Sequence, residues 1–192
     1  MSNRRIPVGI SNRHLHLSQE DLETLFGKGY ELTVLKDLSQ TGQYAAEETV
    51  TLVGPKGVIQ RVRVLGPTRS QTQVEISLTD SFALGVKPPV RDSGDVENSP
   101  GIAIVGPVGC VQLEKGVIIA KRHIHMTSAE AAEFGVQDKD IVKVAVTEGD
   151  RALVFDQVLV RVRDDFVLEL HLDTDEANAA GLRNGQLVEL IK

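Results

Sequence analysis

A six-residue motif occurs twice in this chain, as Arg13-His14-Leu15-His16-Leu17-Ser18 and as Arg122-His123-Ile124-His125-Met126-Thr127. The copies lie 109 positions apart, counted from His14 to His123. In each, an acid follows the hydroxyl residue by three positions, Asp21 after Ser18 and Glu130 after Thr127. A Ser or Thr at that spacing accepts from a free amide of a starting helix while the acid reaches back, and Asp does this less well than Glu. Both copies run to a glycine, Gly27 or Gly135, where a helix C-terminus is expected. The duplication predicts two similar modules, each a strand leading into a short capping helix. A partial third copy starts at His171-Leu172-Asp173, with Gly181 ten positions after His171 as Gly135 is ten after His125.

The rest of the apolar spacing is mostly that of strands. Segments 30–35, 49–54, 58–66, 73–78, 116–120, 140–146, 152–162, 166–172 and 186–191 are rich in Val, Ile and Leu, and several alternate apolar with polar residues. Helical signals are confined to 18–26, 128–134 and 175–181, too short for a layered α/β fold. The expectation is a mostly β protein with short capping helices, and the polar stretch 88–101 is its best internal break. The formal charge of −6 argues against nucleic acid or an anionic membrane as the main partner. The longest apolar candidate for a span, 101–111, is broken by Gly and Pro, and MSNRRIPVG has neither a secretory core nor an amphipathic period. A single cysteine, Cys110, allows no internal disulfide and fits a reducing, cytoplasmic setting. Its apolar neighbours suggest burial, which makes it a poor nucleophile.

All five histidines, His14, His16, His123, His125 and His171, fall where a strand is expected to hand over to a helix. Residues i and i+2 of a strand share a face, so each H-x-H pair aims two imidazoles the same way. Two such rings can share a metal ion, and zinc accepts nitrogen at about 2.0–2.1 Å. Five rings give one ion three ligands and leave the other short by one. Glu75, flanked by Val74 and Ile76, is the best candidate for the missing ligand, against the plainer reading of a solvent-facing strand carboxylate. Nitrogen and oxygen donors without thiolate suit Zn2+ best, with Fe, Co or Ni as alternatives. Arg69, after Gly66-Pro67-Thr68, is placed to hold a phosphate or carboxylate bidentately, or else is a solvated turn residue. Lys36, Lys56, Arg61 and Arg63 flank the same strands and read either as an anionic groove or as ordinary solvated charge.

The motifs SNRHLHLS (11–18), GPTRSQTQVEIS (66–77), AKRHIHMT (120–127) and LHLDTDEAN (170–178) together resemble the propanediol-utilisation phosphotransacylases, the phosphate propanoyltransferases, over nearly the whole chain. The resemblance implies two small β-barrels, one from residues 1–12 plus 121–192 and one from 13–120. It implies two Zn2+ per chain, one on His14, His16 and Glu75 and one on His123, His125 and His171. Arg69 would bind phosphate, and CoA contacts would fall at Ile10, Ser11, Asn12, Lys56, Arg63 and Asn178, with Lys36 and Leu65 as further candidates. The implied reaction interconverts acyl-CoA plus phosphate with acyl phosphate plus CoA, for short acyl groups such as propionyl or acetyl. Arg69-held phosphate would attack the thioester directly, with zinc assistance and no Cys or Ser nucleophile. A homodimer is compatible with such a protein. Members packaged in bacterial microcompartments carry an amphipathic N-terminal extension, and the 13 residues before His14 do not supply one, so a free cytoplasmic enzyme is expected. A cupin-like metal enzyme and a metal-holding interaction barrel are the rival readings.

Overall fold

The structure is a computed structural model and describes residues 5–191. In chain order its elements begin with β1 (Arg5–Ser11), β2 (His14–Ser18), α1 (Gln19–Phe26), β3 (Val34–Asp37), β4 (Tyr44–Val53) and β5 (Val58–Arg69). They continue with β6 (Gln73–Glu75), α2 (Leu78–Leu84), β7 (Val90–Arg91), β8 (Ala103–Val105), β9 (Cys110–Gln112) and β10 (Val117–Ala120). The last third holds β11 (His123–Met126), α3 (Ser128–Phe134), β12 (Ile141–Val146), β13 (Leu153–Val162), β14 (Glu169–Asp173), α4 (Thr174–Ala180) and β15 (Leu187–Ile191). The fold is mostly β with short helices, as the sequence predicts, but the described residues form four helices rather than the three expected. Two compact units share the chain: residues 1–11, 39–41 and 121–192 form one, and residues 12–38 and 42–120 form the other. The first four residues, where half of the MSNRRIPVG reading falls, lie outside the described residues.

The first unit is a closed six-stranded barrel in the order β1-β14-β11-β13-β12-β15. Closure leaves no unpaired strand edge. Alternation along each strand sends Ile6, Val8, Ile124, Met126, Val144, Val158, Val160, Leu170, Leu172, Val188 and Leu190 into one buried cluster. Each such side chain contributes about 1.5–3 kcal/mol on burial. The same alternation turns His123, His125, Glu169 and His171 to the opposite face. Gln40 ties residues 39–41 to this unit, donating Nε2 to the Val167 carbonyl at 2.9 Å and accepting from the Val167 amide at 3.2 Å.

The second unit is a curled half-barrel rather than a closed one, running β7-β10-β6-β2-β5-β4-β8-β9 with β3 paired to β4. Leu15, Leu17, Val50, Leu52, Val62, Val64, Val74 and Ile104 fill its concave core. The strand expected at 73–78 stops at Glu75, because Ser77 caps a helix that periodicity did not announce. Asp80 completes that cap by accepting from the Ser77 amide. The strand expected at 30–35 begins only at Val34. The Tyr30 hydroxyl and the Thr33 amide are taken up by the buried Glu48 carboxylate, which needs those donors. Segment 88–101 divides nothing; it runs inside this unit and contains β7. Cys110 is exposed, contrary to its apolar surroundings, because β9 is the terminal strand of the sheet and Cys110 alternates outward.

Candidate active site

In the half-barrel unit β2 lies between β5, parallel to it, and β6, antiparallel. His14 stands opposite Glu75 and His16 opposite Gln73. With Leu15, Leu17 and Val74 in the core, these four polar side chains share the other face of the sheet. Ligand atoms of His14, His16 and Glu75 all lie within 4.8 Å of one another, and all three residues are buried. His14 Nδ1 is 2.8 Å from the Asn12 carbonyl. A carbonyl only accepts, so His14 Nδ1 is the donor there, and Nε2 lies 3.5 Å from Glu75 Oε2. His16 Nδ1 is buried without a hydrogen-bond partner.

Glu75 Oε1 accepts from Gln73 Nε2 at 2.6 Å and from the Ser93 hydroxyl at 2.8 Å. The Ser93 oxygen in turn accepts from Arg69 Nη1 at 3.3 Å. Burial pushes the Glu75 carboxyl upward, but His14, His16, the Ser93 hydrogen bond and Arg69 together outweigh it and hold it at about 2. Burial is also the main reason that the His16 ring falls to about 3, with Arg69 and His14 adding to the effect. Glu75 is therefore a carboxylate and His16 a neutral imidazole at neutral pH, the protonation states in which such groups bind a metal ion.

The barrel unit repeats the plan. There β11 lies between β13, parallel, and β14, antiparallel, with His123 opposite His171 and His125 opposite Glu169. The three rings cluster with centroids 4.7–4.9 Å apart, and their ligand atoms lie within 4.8 Å of one another. His123 Nδ1 meets the Lys121 carbonyl at 2.8 Å, the counterpart of the His14 contact with Asn12. His125 stacks on Phe166 at 4.2 Å, and both its ring nitrogens are buried without a hydrogen-bond partner. Burial lowers its pKa to about 2, helped by His123, His171, Arg161 and Arg163. Unpartnered buried imidazole nitrogens are costly in a metal-free protein. Three imidazoles in the barrel unit, and two imidazoles with a carboxylate in the half-barrel unit, are donor sets that fit a Zn2+ ion.

The correspondence between the units goes beyond the H-x-H pairs. Each third candidate ligand, Glu75 or His171, stands across from the first histidine and two residues before a helix cap, Ser77 or Asp173. The arginine before each first histidine pairs with the third residue of the helix that follows the third candidate ligand, α2 or α4. Arg13 takes Asp80 at 2.9 and 3.0 Å, and Arg122 takes Glu176 at 3.0 Å. The segment from His171 is thus the structural partner of the segment from Glu75, not a third H-x-H copy. The spacing to Gly85 and Gly181, ten residues in each case, carried that signal. Sequence reasoning missed Gln73, Ser93, Asp80, Phe166, Glu169 and Glu176, and aligning Glu75 with His171 would have pointed to all of these but Ser93 and Phe166.

Glu176 yields a prediction on stability. Burial, and then repulsion from Asp173, raise its carboxyl to about 7 against the opposing pull of Arg122. Its unfolded value is near 4.5, so between those two values the folded chain holds a proton that the unfolded chain has lost. The resulting stability is fully present below about pH 4.5 and is lost as the pH rises through about 7. Glu176→Gln is expected to gain on the parent between pH 5 and pH 8, by on the order of 1–3 kcal/mol. Paired denaturant titrations at the two pH values measure it, and an unchanged gap would refute the shift.

The expected CoA contacts divide between the units. Ile10 and Ser11 end β1, and Asn178 is exposed on α4, all in the barrel unit. Asn12, Lys56 and Arg63 belong to the half-barrel unit, as do Lys36 and Leu65. Lys36 and Lys56 are exposed, on β3 and in the β4–β5 turn. The Arg63 guanidinium donates to the Ala46 and Glu47 carbonyls at 2.9 and 2.7 Å, which anchors it to β4. Among the described residues no helix is long and apolar enough to cross a membrane.

Comparison with known proteins gives the family. The family model for phosphate propanoyltransferase matches residues 7–183. A phosphate propanoyltransferase of Thermotoga maritima is 68% identical over 187 residues, covering 97% of this chain and 89% of its own length. Those of Lachnoclostridium phytofermentans and Clostridioides difficile are 56% and 54% identical over the same length, covering 97% of this chain and 87% and 89% of theirs. With a family model spanning all but the ends of the sequence, and relatives 54–68% identical over nearly the whole chain, the chain belongs to the phosphate propanoyltransferase family.

Proposed function

We propose that this protein is a phosphotransacylase that interconverts propionyl-CoA or a similar short acyl-CoA plus phosphate with the acyl phosphate plus CoA. Family membership supports the reaction class. The observation that carries the residue assignment is Arg69, whose guanidinium reaches the Ser93 hydroxyl that also donates to Glu75. A cation held beside the His14, His16 and Glu75 triad is suited to binding the phosphate dianion, and Ser93 restricts its rotamers. Phosphate is a weak nucleophile, so fixing it against the thioester converts a bimolecular encounter into an oriented one.

His14, His16 and Glu75 would hold one Zn2+, and His123, His125 and His171 a second. A bound zinc ion would supply Lewis acidity for a thioester oxygen and a soft partner for a departing thiolate. The chain's own contribution is to keep His16 and His125 neutral and Glu75 ionised. The CoA moiety would be held by Ile10, Ser11, Asn12, Lys56, Arg63 and Asn178, with residues 1–12 plus 121–192 and 13–120 as the two domains. The single cysteine supports a reducing, cytoplasmic setting.

The test is CoA release from propionyl-CoA by the full chain, with and without phosphate and before and after chelation. Release that needs both phosphate and metal is expected, with acyl phosphate as the co-product. No release from protein shown to carry two zinc ions per chain would overturn the proposal.

A further inference from the structure

Positions 73 and 169 are equivalent in the two units. Each precedes the third candidate ligand by two residues on the same strand, and each stands opposite the second histidine, Gln73 across from His16 and Glu169 across from His125. Their chemistry is opposite. Gln73 donates Nε2 to Glu75 Oε1 at 2.6 Å, and its own oxygen is fixed by the Gly94 amide at 2.7 Å. Glu169 brings Oε2 to 2.8 Å from His171 Nε2, a close approach without a well-formed hydrogen bond. The Ser39 hydroxyl donates to the same carboxylate oxygen.

Space for that carboxylate is made on the neighbouring strand. Gly9 stands in register with His171, and a Cβ there would come within 2.5 Å of the Glu169 carboxyl carbon. Gly9 has no positive φ, so clearance rather than backbone conformation explains the glycine.

We propose that Gln73 and Glu169 are a matched pair of positioning residues, each supplying the hydrogen-bonding sense its ligand lacks. A carboxylate ligand only accepts, and Gln73 offers it an amide donor. An imidazole ligand carries one N–H, and Glu169 offers it an acceptor, which leaves Nδ1 of His171 for the ion. The χ2 torsion of histidine is broad, so a turn of the His171 ring brings its N–H onto the oxygen. The inference rests on the reading that each triad holds a metal ion.

Zinc affinity of the full chain, measured by competition with a chromophoric chelator, separates the two units when one triad is disabled. In a His16→Ala background, Glu169→Leu is expected to weaken the remaining site by about 10–100-fold. Glu169→Gln keeps an acceptor oxygen and is expected to stay within about threefold of its parent. In a His125→Ala background, Gln73→Leu is expected to cost the other site a similar factor, while Glu169→Leu there changes nothing. Circular dichroism of each variant confirms that it is folded. If Glu169→Leu keeps full affinity, the inference falls and the metal reading stands. If Glu169→Gln loses as much as Glu169→Leu, the carboxylate is itself a ligand and the positioning role is overturned. If the parent chain takes up no zinc, both readings fall together.

Discussion

Replacing Arg69 by alanine is expected to lower phosphate-dependent CoA release by about a hundredfold to a thousandfold, the range seen when a preorganised charge partner of a reacting group is removed. The loss should fall on kcat/KM for phosphate, with the zinc content of the protein unchanged. Two observations separate these effects. Arg69 ends β5 and reaches the triad through Ser93, whereas the His14–Glu75 contact is made directly between those two side chains. Its charge does depress the pKa of His16 and Glu75, but as a secondary influence. Burial dominates His16 at about 3, and the two histidines outweigh Arg69 at Glu75, held at about 2. Both groups therefore keep their metal-binding protonation state near pH 7 without the guanidinium. Initial rates across a phosphate series, alongside zinc analysis, check this. A variant within tenfold of the parent and fully zinc-loaded would remove Arg69 from phosphate binding.

The legible part of the fold was the part written as local pattern. Two H-x-H pairs followed by hydroxyl caps announced β2 with α1 and β11 with α3, and the alternation of Leu170 and Leu172 with His171 announced a strand face. The third members of the two clusters are a different matter, because Glu75 and His171 reach their partners across an antiparallel ladder whose register no short motif encodes. His171 stood out by residue type and by its ten-residue spacing to Gly181, but its true counterpart was hidden because that position carries a glutamate. Helix α2 was missed for a related reason. Leu78 and Phe82, which lie on it, are exposed, so it has little of the core-facing period by which a helix is read. Ser93 was out of reach altogether. It sits in a polar segment that looks like a linker, and only tertiary folding brings its hydroxyl to Glu75.

Removing one ligand from the barrel site gives the second large effect, and its sign in stability depends on metal. His125→Ala is expected to leave one zinc per chain and to reduce CoA release by about a thousandfold or more, since loss of a charge-stabilising ion costs several kcal/mol in the transition state. In the metal-loaded protein the variant also forfeits the coupling of ion binding to folding and should melt well below the parent. In the chelated protein the balance differs. Truncating the ring opens a cavity beside Phe166, worth about 2–4 kcal/mol. It also abolishes two buried nitrogens that have no hydrogen-bond partner, each costing about 1–3 kcal/mol in the parent. These contributions are similar and opposed, so the apo forms of parent and variant should melt within a few degrees of each other. Thermal unfolding of both proteins with excess zinc and with chelator reads the difference directly. A large penalty that persists in chelator would mean that His125 serves the core rather than an ion, and the barrel triad would lose its claim to be a metal centre.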